Sequence, residues 1–259
     1  MLQRKNQVTD VIRHHWNARA ATFDGELGHG VHSEDQRQAW LRLLARIAGP
    51  APQRVLDAGC GTGVLALLFA ELGHRVTGVD LAVQMIEAAR RKAADANAQI
   101  EFRVENVAAL TDPAGTYDLV VARHVIWTLP DPARGVAQWL RVLRAGGRLA
   151  LIEGKWAYND VVPRFSHPVR SALASLERTA LSFASLLVGR KHWKLYSHEY
   201  RQLERQLPFS GGPPMQRLTS FLEQQGVNDV SFEPLMDPVL WEELPRFPRY
   251  LVMGCRPKR

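Results

Sequence analysis

Residues 54–64 read RVLDAGCGTGV, an apolar run that ends in a carboxylate and continues into three glycines at alternate positions. The pattern predicts a buried strand that ends near Asp57, followed by a tight loop from Gly59 to Gly63. A glycine-rich loop after a strand typically binds the phosphates of a nucleotide. The stretch therefore indicates an α/β fold and the edge of that fold at which a ligand binds.

Strand-like and helix-like segments alternate from residue 54 to residue 154. Alternation at this spacing is typical of an open parallel sheet with helices on both faces. Asp131 followed by Pro132 predicts a helix start, and Gly146-Gly147 predicts the end of that helix. The strand-like runs are RVLDAG, RVTGVD, IEFRVEN, YDLVVARHV and RLALIEG. We predict a doubly wound α/β core.

The chain is predicted to divide into four parts, the core and three flanking segments. Residues 1–50 are predicted to form an N-terminal helical lid, and residues 51–154 the cofactor-binding core. Residues 155–212 are predicted to be an inserted helical substrate cap, because apolar residues recur there at helical spacing between Leu173 and Leu187. Residues 213–259 then supply a helix and two strands that complete the sheet.

The composition favours a cytoplasmic globular protein. The chain has 259 residues, 46% of them hydrophobic, and no apolar stretch long enough for a membrane span. Two cysteines, Cys60 and Cys255, give neither a disulfide framework nor a zinc site. A net charge of +7 is compatible with an anionic partner or simply with a basic solvated surface.

The expected charge of the ligand distinguishes between the candidate ligands of the glycine loop. A dinucleotide loop needs a third glycine at the position of Val64, and a P-loop needs a lysine that this helix lacks. Asp57, fixed at the strand end, would repel a pyrophosphate and attract a cation. The sequence therefore predicts a ligand that is cationic at this end.

Three segments, VLDAGCGTG, VTGVD and YDLVVARHVIWTLPDP, resemble the class I S-adenosylmethionine-dependent methyltransferases, specifically the small-molecule branch of the type 11/25 kind. The resemblance is strong over residues 54–154. It implies a Rossmann-like, mostly parallel seven-stranded sheet whose last strand is antiparallel. It also implies transfer of a methyl group from S-adenosylmethionine to a nitrogen, oxygen or carbon atom of a small-molecule acceptor, with S-adenosylhomocysteine as the product.

The resemblance also implies a set of cofactor-binding residues. Asp57 would face the ammonium group, and Asp80 would accept hydrogen bonds from both ribose hydroxyls. Asn106 stands where the family usually has an aspartate that binds the adenine amino group; an amide oxygen can accept as well. Arg19 and Arg123 are the candidates for binding the cofactor's carboxylate. The full set is Arg19, Asp57, Gly59, Cys60, Gly61, Gly63, Asp80, Leu81, Met85, Asn106, Val107 and Arg123.

The acceptor should lie beyond the strand ends, where the strand order reverses. His124 is the predicted general base because imidazole titrates near neutrality, and a purely structural histidine is an equally good interpretation. His29 and His32 are alternative bases, but they lack the further ligands of a metal site. The predicted acceptor-binding residues are Trp16, Phe23, His29, His32, Trp127, Trp156, Tyr196 and Tyr200.

Several alternatives remain at this stage. A lipid or quinone methyltransferase at the membrane surface would use the basic cap for docking. An RNA methyltransferase is disfavoured, because the Asn/Asp-Pro-Pro-aromatic motif is replaced by Ala122-Arg123-His124-Val125. We expect no nucleic-acid partner, and a homodimer is compatible with the sequence. A cofactor-binding protein without enzymatic activity is a further alternative.

Overall fold

The computed structural model describes residues 2–26, 28–155, 197–242, 245 and 247–258. The predicted cap is therefore described only from residue 197 onward. The helical pattern between Leu173 and Leu187 lies outside the described residues, as do Trp156 and Tyr196.

In the described part of the chain, seven strands form one sheet in the order β3-β2-β1-β4-β5-β7-β6. The first five strands pair in parallel, and β7 is antiparallel to both β5 and β6. The fold predicted from the sequence is confirmed. The strands are β1 Arg54–Ala58, β2 Arg75–Asp80, β3 Glu101–Val104, β4 Tyr117–Arg123, β5 Leu143–Gly154, β6 Asn228–Pro234 and β7 Arg249–Cys255.

Helices flank the sheet, and local signals mark their starts. Ser33 and Asp131 accept hydrogen bonds from backbone amides of the first turns of α2 and α5, and Pro132 opens α5 as the sequence predicts. The helices are α1 Leu2–Arg19, α2 Glu34–Ala48, α3 Val64–Glu71, α4 Val83–Asp95, α5 Pro132–Val142, α6 His198–Glu204, α7 Met215–Gln224 and α8 Pro238–Trp241.

The predicted end of α5 is wrong. Gly146-Gly147 were expected to end this helix, but it ends at Val142, and β5 begins at the next residue. Leu143 is completely buried and pairs with Tyr117, so it is the first residue of β5 instead of a further residue of α5. Gly146 then adopts φ +70° inside the strand, next to an irregularity in the pairing of β4 with β5.

Both faces of the sheet are covered, as a doubly wound fold requires. One apolar cluster joins the sheet to α2, α3 and α4, and it contains Trp40 and Phe69. A second cluster on the opposite face joins the sheet to α5 and α7, through Trp139 and Leu218 among others. The strand order reverses at β1, which lies between β2 and β4. The carboxyl ends of these strands define the site.

Candidate active site

The glycine loop after β1 needs glycine for two physical reasons. Gly59, Gly61 and Gly63 have φ angles of +75°, +53° and +81°, a region that residues with a Cβ rarely adopt. A Cβ at Gly59 would also stand 2.5 Å from Cγ2 of Val125, and one at Gly63 would stand 2.9 Å from Ala89. The loop therefore exposes bare backbone and packs tightly against its surroundings.

The loop's backbone amides are mostly committed within the protein. Gly59 and Cys60 both donate to the carbonyl of Val79, at 2.8 and 2.9 Å. Gly61 donates to Oδ2 of Asp80 at 2.9 Å, and Gly63 donates to the Cys60 carbonyl. A phosphate cradle needs amides that point at the anion. This loop offers close approach instead, which agrees with the cationic ligand inferred from Asp57.

Asp57 lies buried beneath this loop with 2% of its surface exposed. Burial raises the pKa of its carboxyl to about 7, while the nearby Arg123 guanidinium acts in the opposite direction. Its Oδ2 atom is buried and has no hydrogen-bond partner among the described residues. A buried carboxylate oxygen in this position suits a cationic group of the ligand.

Asp80 ends β2 beside the loop and is held at both oxygens. Oδ1 accepts from the amide of Ala82 at 2.8 Å, and Oδ2 accepts from Gly61. Burial raises the pKa of this carboxyl, and these amides oppose the shift. Each oxygen keeps a second lone pair, so a carboxylate held in this way can still accept from two hydroxyls.

The predicted adenine side is built from the elements that follow β2 and β3. Met85 is 1% exposed and packs in a small cluster with Ala82 and Ala20, against which Trp16 and Phe23 also pack. Leu81 directly follows Asp80 and is half-buried.

Asn106 and Val107 follow β3 at the same edge. Asn106 uses its Oδ1 to accept from the amide of Ala108 at 2.9 Å, so its side chain is already oriented by a turn. Val107 is buried beside it. Cys60 differs from the other predicted residues, because its thiol belongs to the apolar cluster under the loop.

The segment after α1 covers the loop from above. Asp24 accepts from the Thr62 hydroxyl at 2.5 Å, and its other oxygen pairs with the Lys92 ammonium at 2.8 Å. A Cβ at Gly61 would stand 3.5 Å from the ring of Phe23. Asp24 thus ties the segment after α1 to both the glycine loop and α4.

Both predicted carboxylate-binding arginines lie in this region. Arg19 is 3% exposed, forms an ion pair with Glu26, and has its guanidinium 5.0 Å from the ring centroid of Trp16. Arg123 donates to the carbonyl of His29 at 2.6 Å. Burial lowers the pKa of Arg123 to about 10, and the charge of Asp57 opposes this shift.

Aromatic side chains from three separate segments meet beside the loop. Trp16 of α1 makes edge contacts with Phe23, Trp127 and Tyr200, at centroid distances of 5.9, 6.2 and 6.3 Å. Phe23 also lies 4.3 Å from His29. Five of the eight predicted acceptor-binding residues are therefore brought together: Trp16, Phe23, His29, Trp127 and Tyr200.

His124 directly follows β4, with φ +60° and 9% of its surface exposed. Its ring lies 5.7 Å from that of His29 and 5.9 Å from that of Trp241. Burial and the charge of Arg123 hold the pKa of His124 well below its usual range. The imidazole is therefore neutral at physiological pH.

Comparison with known proteins identifies this arrangement. The methyltransferase domain family matches residues 56–151, the region that carries β1 to β5 and the glycine loop. This part of the chain is a class I S-adenosylmethionine-dependent methyltransferase domain.

A ubiquinone biosynthesis O-methyltransferase of Xanthomonas axonopodis pv. citri is 31% identical to the chain over 153 residues, which cover 59% of this chain. The match spans only 55% of that relative's length.

Solved structures share the fold of the methyltransferase domain. Phosphoethanolamine N-methyltransferase 2 of Haemonchus contortus is similar with a TM-score of 0.58 and 16% identity, over 85% of this chain and 52% of that one. The [4+2]-cyclase SpnF is similar with a TM-score of 0.57 and 16% identity, over 85% of this chain and 80% of that one. Because one of these proteins is a cyclase, the fold alone does not define the reaction.

The residues present fit S-adenosylmethionine, the cofactor of this domain family. Its methionine end carries an ammonium and a carboxylate. Asp57 Oδ2 and Arg123 Nη1 are buried and have no hydrogen-bond partner among the described residues. One is an acceptor suited to the ammonium and the other a donor suited to the carboxylate.

His32 is the remaining predicted acceptor-binding residue in the described part of the chain. His32 is exposed, and its ring lies 3.8 Å from the carboxylate of Glu242. In the part of the chain that the structure describes, no three His, Cys, Asp or Glu side chains gather as a metal site. Nor does any described helix combine the length and apolar character needed to cross a bilayer.

Sequence reasoning missed Glu153, a residue of β5. It is completely buried, and its Oε1 accepts from the amides of Val125 and Ile126 at 2.9 and 3.0 Å. Burial raises the pKa of this carboxyl to about 8. The available signal was a single acidic residue in the apolar run LALIEG, because a buried charge in a strand needs a specific partner.

Proposed function

We propose that this protein transfers the methyl group of S-adenosylmethionine to a hydroxyl oxygen on a small aromatic acceptor. The observation that carries the proposal is the aromatic cluster of Trp16, Phe23, Trp127 and Tyr200 beside the glycine loop. Flat side chains around a reaction centre favour a flat acceptor. The Xanthomonas relative is named as an O-methyltransferase, which supports oxygen as the methylated atom.

We assign the cofactor-binding roles that the family resemblance implies. Asp57 binds the ammonium, Arg123 or Arg19 binds the carboxylate, and Asp80 binds the ribose. Asn106, Val107, Leu81 and Met85 bind the adenine. When bound, S-adenosylmethionine supplies an electrophilic methyl group on a sulfonium sulfur.

The protein's own contribution is positioning, exclusion of water and proton removal. The neutral imidazole of His124 takes the proton from the hydroxyl group that is methylated, and His29 is the alternative base. A depressed pKa makes His124 available but weak as a base, so the role suits an acidic hydroxyl such as a phenol. The indole Nε1 of Trp127 is buried without a hydrogen-bond partner among the described residues, and it can donate to the acceptor's oxygen.

The decisive experiment combines calorimetry with a panel of acceptors. S-adenosylmethionine should bind the purified protein, and labelled methyl should pass to catechol or an alkylated catechol. Aniline and indole serve as nitrogen and carbon acceptors of similar size, and neither should be labelled. Transfer to aniline or indole alone would contradict oxygen methylation, and absence of cofactor binding would contradict the proposal as a whole.

A quinone precursor presented at a membrane surface is the second candidate acceptor. The Xanthomonas relative favours it, since that protein is named for ubiquinone biosynthesis. The two candidates share the chemistry of a phenolic hydroxyl and differ in where the acceptor is found. A cytoplasmic location, a homodimer and the absence of a nucleic-acid partner stay predictions from the sequence.

A further inference from the structure

Glu153 holds the turn that leaves β4. One oxygen of its carboxylate accepts from two successive amides, those of Val125 and Ile126, at 2.9 and 3.0 Å. Two amides on one carboxylate oxygen fix the direction of the backbone at that point. The side chain is completely buried, so water does not compete for these bonds.

The turn that Glu153 holds is a sharp one. His124 has φ +60°, a conformation that costs energy for a residue with a side chain. Its amide donates to the carbonyl of Ile152, the residue before Glu153, at 3.0 Å. Three successive amides after β4 are thus bound by two successive residues of β5, which keeps the chain in the strained conformation.

The consequences of the turn reach both halves of the active site. Val125 packs directly on the glycine loop, since a Cβ at Gly59 would stand 2.5 Å from its Cγ2 and 3.1 Å from its Cγ1. The short 3-10 helix that follows, Ile126–Thr128, places Trp127 against Trp16 in the aromatic cluster. One carboxylate therefore supports both the contact of Val125 with the glycine loop and the position of Trp127 in the aromatic cluster.

We infer that Glu153 is a positioning residue, which holds the turn after β4 so that Val125 keeps the cofactor loop in shape and Trp127 faces the acceptor. The inference rests on the proposed function in one respect, namely that the glycine loop binds S-adenosylmethionine.

Packing alone does not explain an acidic residue at this place. Strand alternation puts Glu153 on the same face as Leu149 and Leu151, which are both buried in the apolar cluster against α5 and α7. Burial of the carboxyl costs free energy, as its raised pKa indicates, and an apolar side chain would avoid that cost. The two amides of the turn supply the specific need that an apolar residue could not meet.

The test compares Glu153→Gln with Glu153→Leu, using S-adenosylhomocysteine as the calorimetric probe. Glutamine keeps an oxygen that can accept from both amides, so its Kd should stay within about threefold of wild type. Leucine has a similar volume but leaves both amides without an acceptor, so the turn should shift and Kd should rise at least about tenfold. Circular dichroism at the temperature of the titration confirms that each variant is folded.

Asp112→Leu is the matched control for loss of a buried acid. Asp112 is 8% exposed and accepts from the hydroxyl of Tyr117, the first residue of β4, at the opposite end of the strand from His124. This variant should lose thermal stability without a change in Kd. A merely structural role for Glu153 would give the same result for Glu153→Leu, namely lower stability with unchanged Kd, and that result would overturn the inference.

Val125→Ala keeps the inference testable if Glu153→Leu does not fold. It removes the methyl groups that touch Gly59, so Kd for S-adenosylhomocysteine should rise about threefold or more. A wild-type affinity in Val125→Ala would reject the positioning role. A complete loss of binding in Glu153→Gln would reject it as well. Failure of the wild-type protein to bind the probe would instead reject the proposed function.

Discussion

At the scale of single residues, Asp57 is placed where it costs stability in the free protein. Burial raises its pKa to about 7, so the folded state binds a proton more tightly than the unfolded chain does. The contribution of Asp57 to the free energy of unfolding therefore decreases as the pH rises from about 4 to 7. A bound ammonium would favour the ionised form and offset that cost.

This coupling predicts a pH dependence of cofactor affinity. Below pH 7 the carboxyl must lose its proton when the ammonium binds, so affinity should rise with pH by up to about tenfold per unit and level off above pH 7. Calorimetry between pH 5.5 and 8 measures this. Asp57→Asn should weaken binding and flatten the profile, and it should raise the melting temperature of the free protein at pH 7.5. An unchanged pH profile in Asp57→Asn would exclude Asp57 as the source.

Asp118→Asn is the matched control. Asp118 accepts from the amide of Arg54 and from the side chain of Arg144, which hold the pKa of its carboxyl below the usual value although partial burial acts in the opposite direction. Its replacement should lower the melting temperature at neutral pH and leave cofactor affinity unchanged.

His124 is the residue whose role most needs a direct test. Asparagine tolerates the left-handed conformation that His124 adopts, so His124→Asn preserves the backbone and removes the imidazole. With the acceptor found in the panel, turnover should fall at least about a hundredfold, as expected for loss of a general base. The Kd of S-adenosylmethionine should stay within about threefold.

His32→Asn serves as the comparison for His124→Asn, because His32 is exposed and lies beside Glu242. Its turnover should remain at the wild-type level. Normal turnover in His124→Asn would assign the histidine a structural role and leave His29 as the base to examine.

At the scale of the elements, the glycine loop depends on contact with another segment as well as on its own conformation. Gly59→Ala should lower the free energy of unfolding by at least about 3 kcal/mol, since it combines a left-handed φ with a clash against Val125. Gly73→Ala has a similar φ of +84° but no atom within 4 Å, so it should cost only about 1–2 kcal/mol. Denaturant unfolding measures both. Equal losses would show that the contact with Val125 contributes nothing.

The predicted N-terminal lid contacts the methyltransferase domain through Asp24. Asp24→Ala removes the bonds to Thr62 and Lys92, so the lid should open more often and Kd for S-adenosylmethionine should rise about threefold to tenfold. Faster cleavage by a protease between residues 20 and 35 provides a second measurement.

Asp10→Ala controls for the loss of a surface ion pair, because Asp10 pairs only with Arg13 three residues along α1 among the described side chains. Both the affinity and the cleavage rate should be unchanged in this variant. A wild-type affinity in Asp24→Ala would remove the lid from cofactor binding.

At the scale of the whole molecule, the net charge of +7 gives a test of the two candidate acceptors. We expect the protein to pellet with anionic lipid vesicles at about 20 mM salt and to be released at about 150 mM, because salt screens the attraction of a diffuse basic surface. Vesicles of neutral lipid are the control. Retention on anionic vesicles at the higher salt concentration would favour an acceptor presented at a membrane.

Much of the fold could be predicted because its signals are local. The alternation of strands and helices, the start of α5 at Asp131-Pro132 and the glycine loop each depend on neighbours in the sequence. The end of α5 could not be predicted, since the burial of Leu143 against distant residues outweighed the glycine pair that follows. The strand order and the antiparallel last strand came from the family resemblance.

The sequence by itself determined that Asp57, Asp80 and the three glycines lie at or just after the ends of strands, because they belong to short segments with their own patterns. Only the tertiary structure decided which distant groups join them: Asp24 on Thr62, Val125 on Gly59, Trp16 beside Trp127, and Glu153 beneath the turn after β4. These contacts link residues far apart in the chain, and no local periodicity encodes them. The reason is physical, since packing and hydrogen bonding act through space once the sheet has formed.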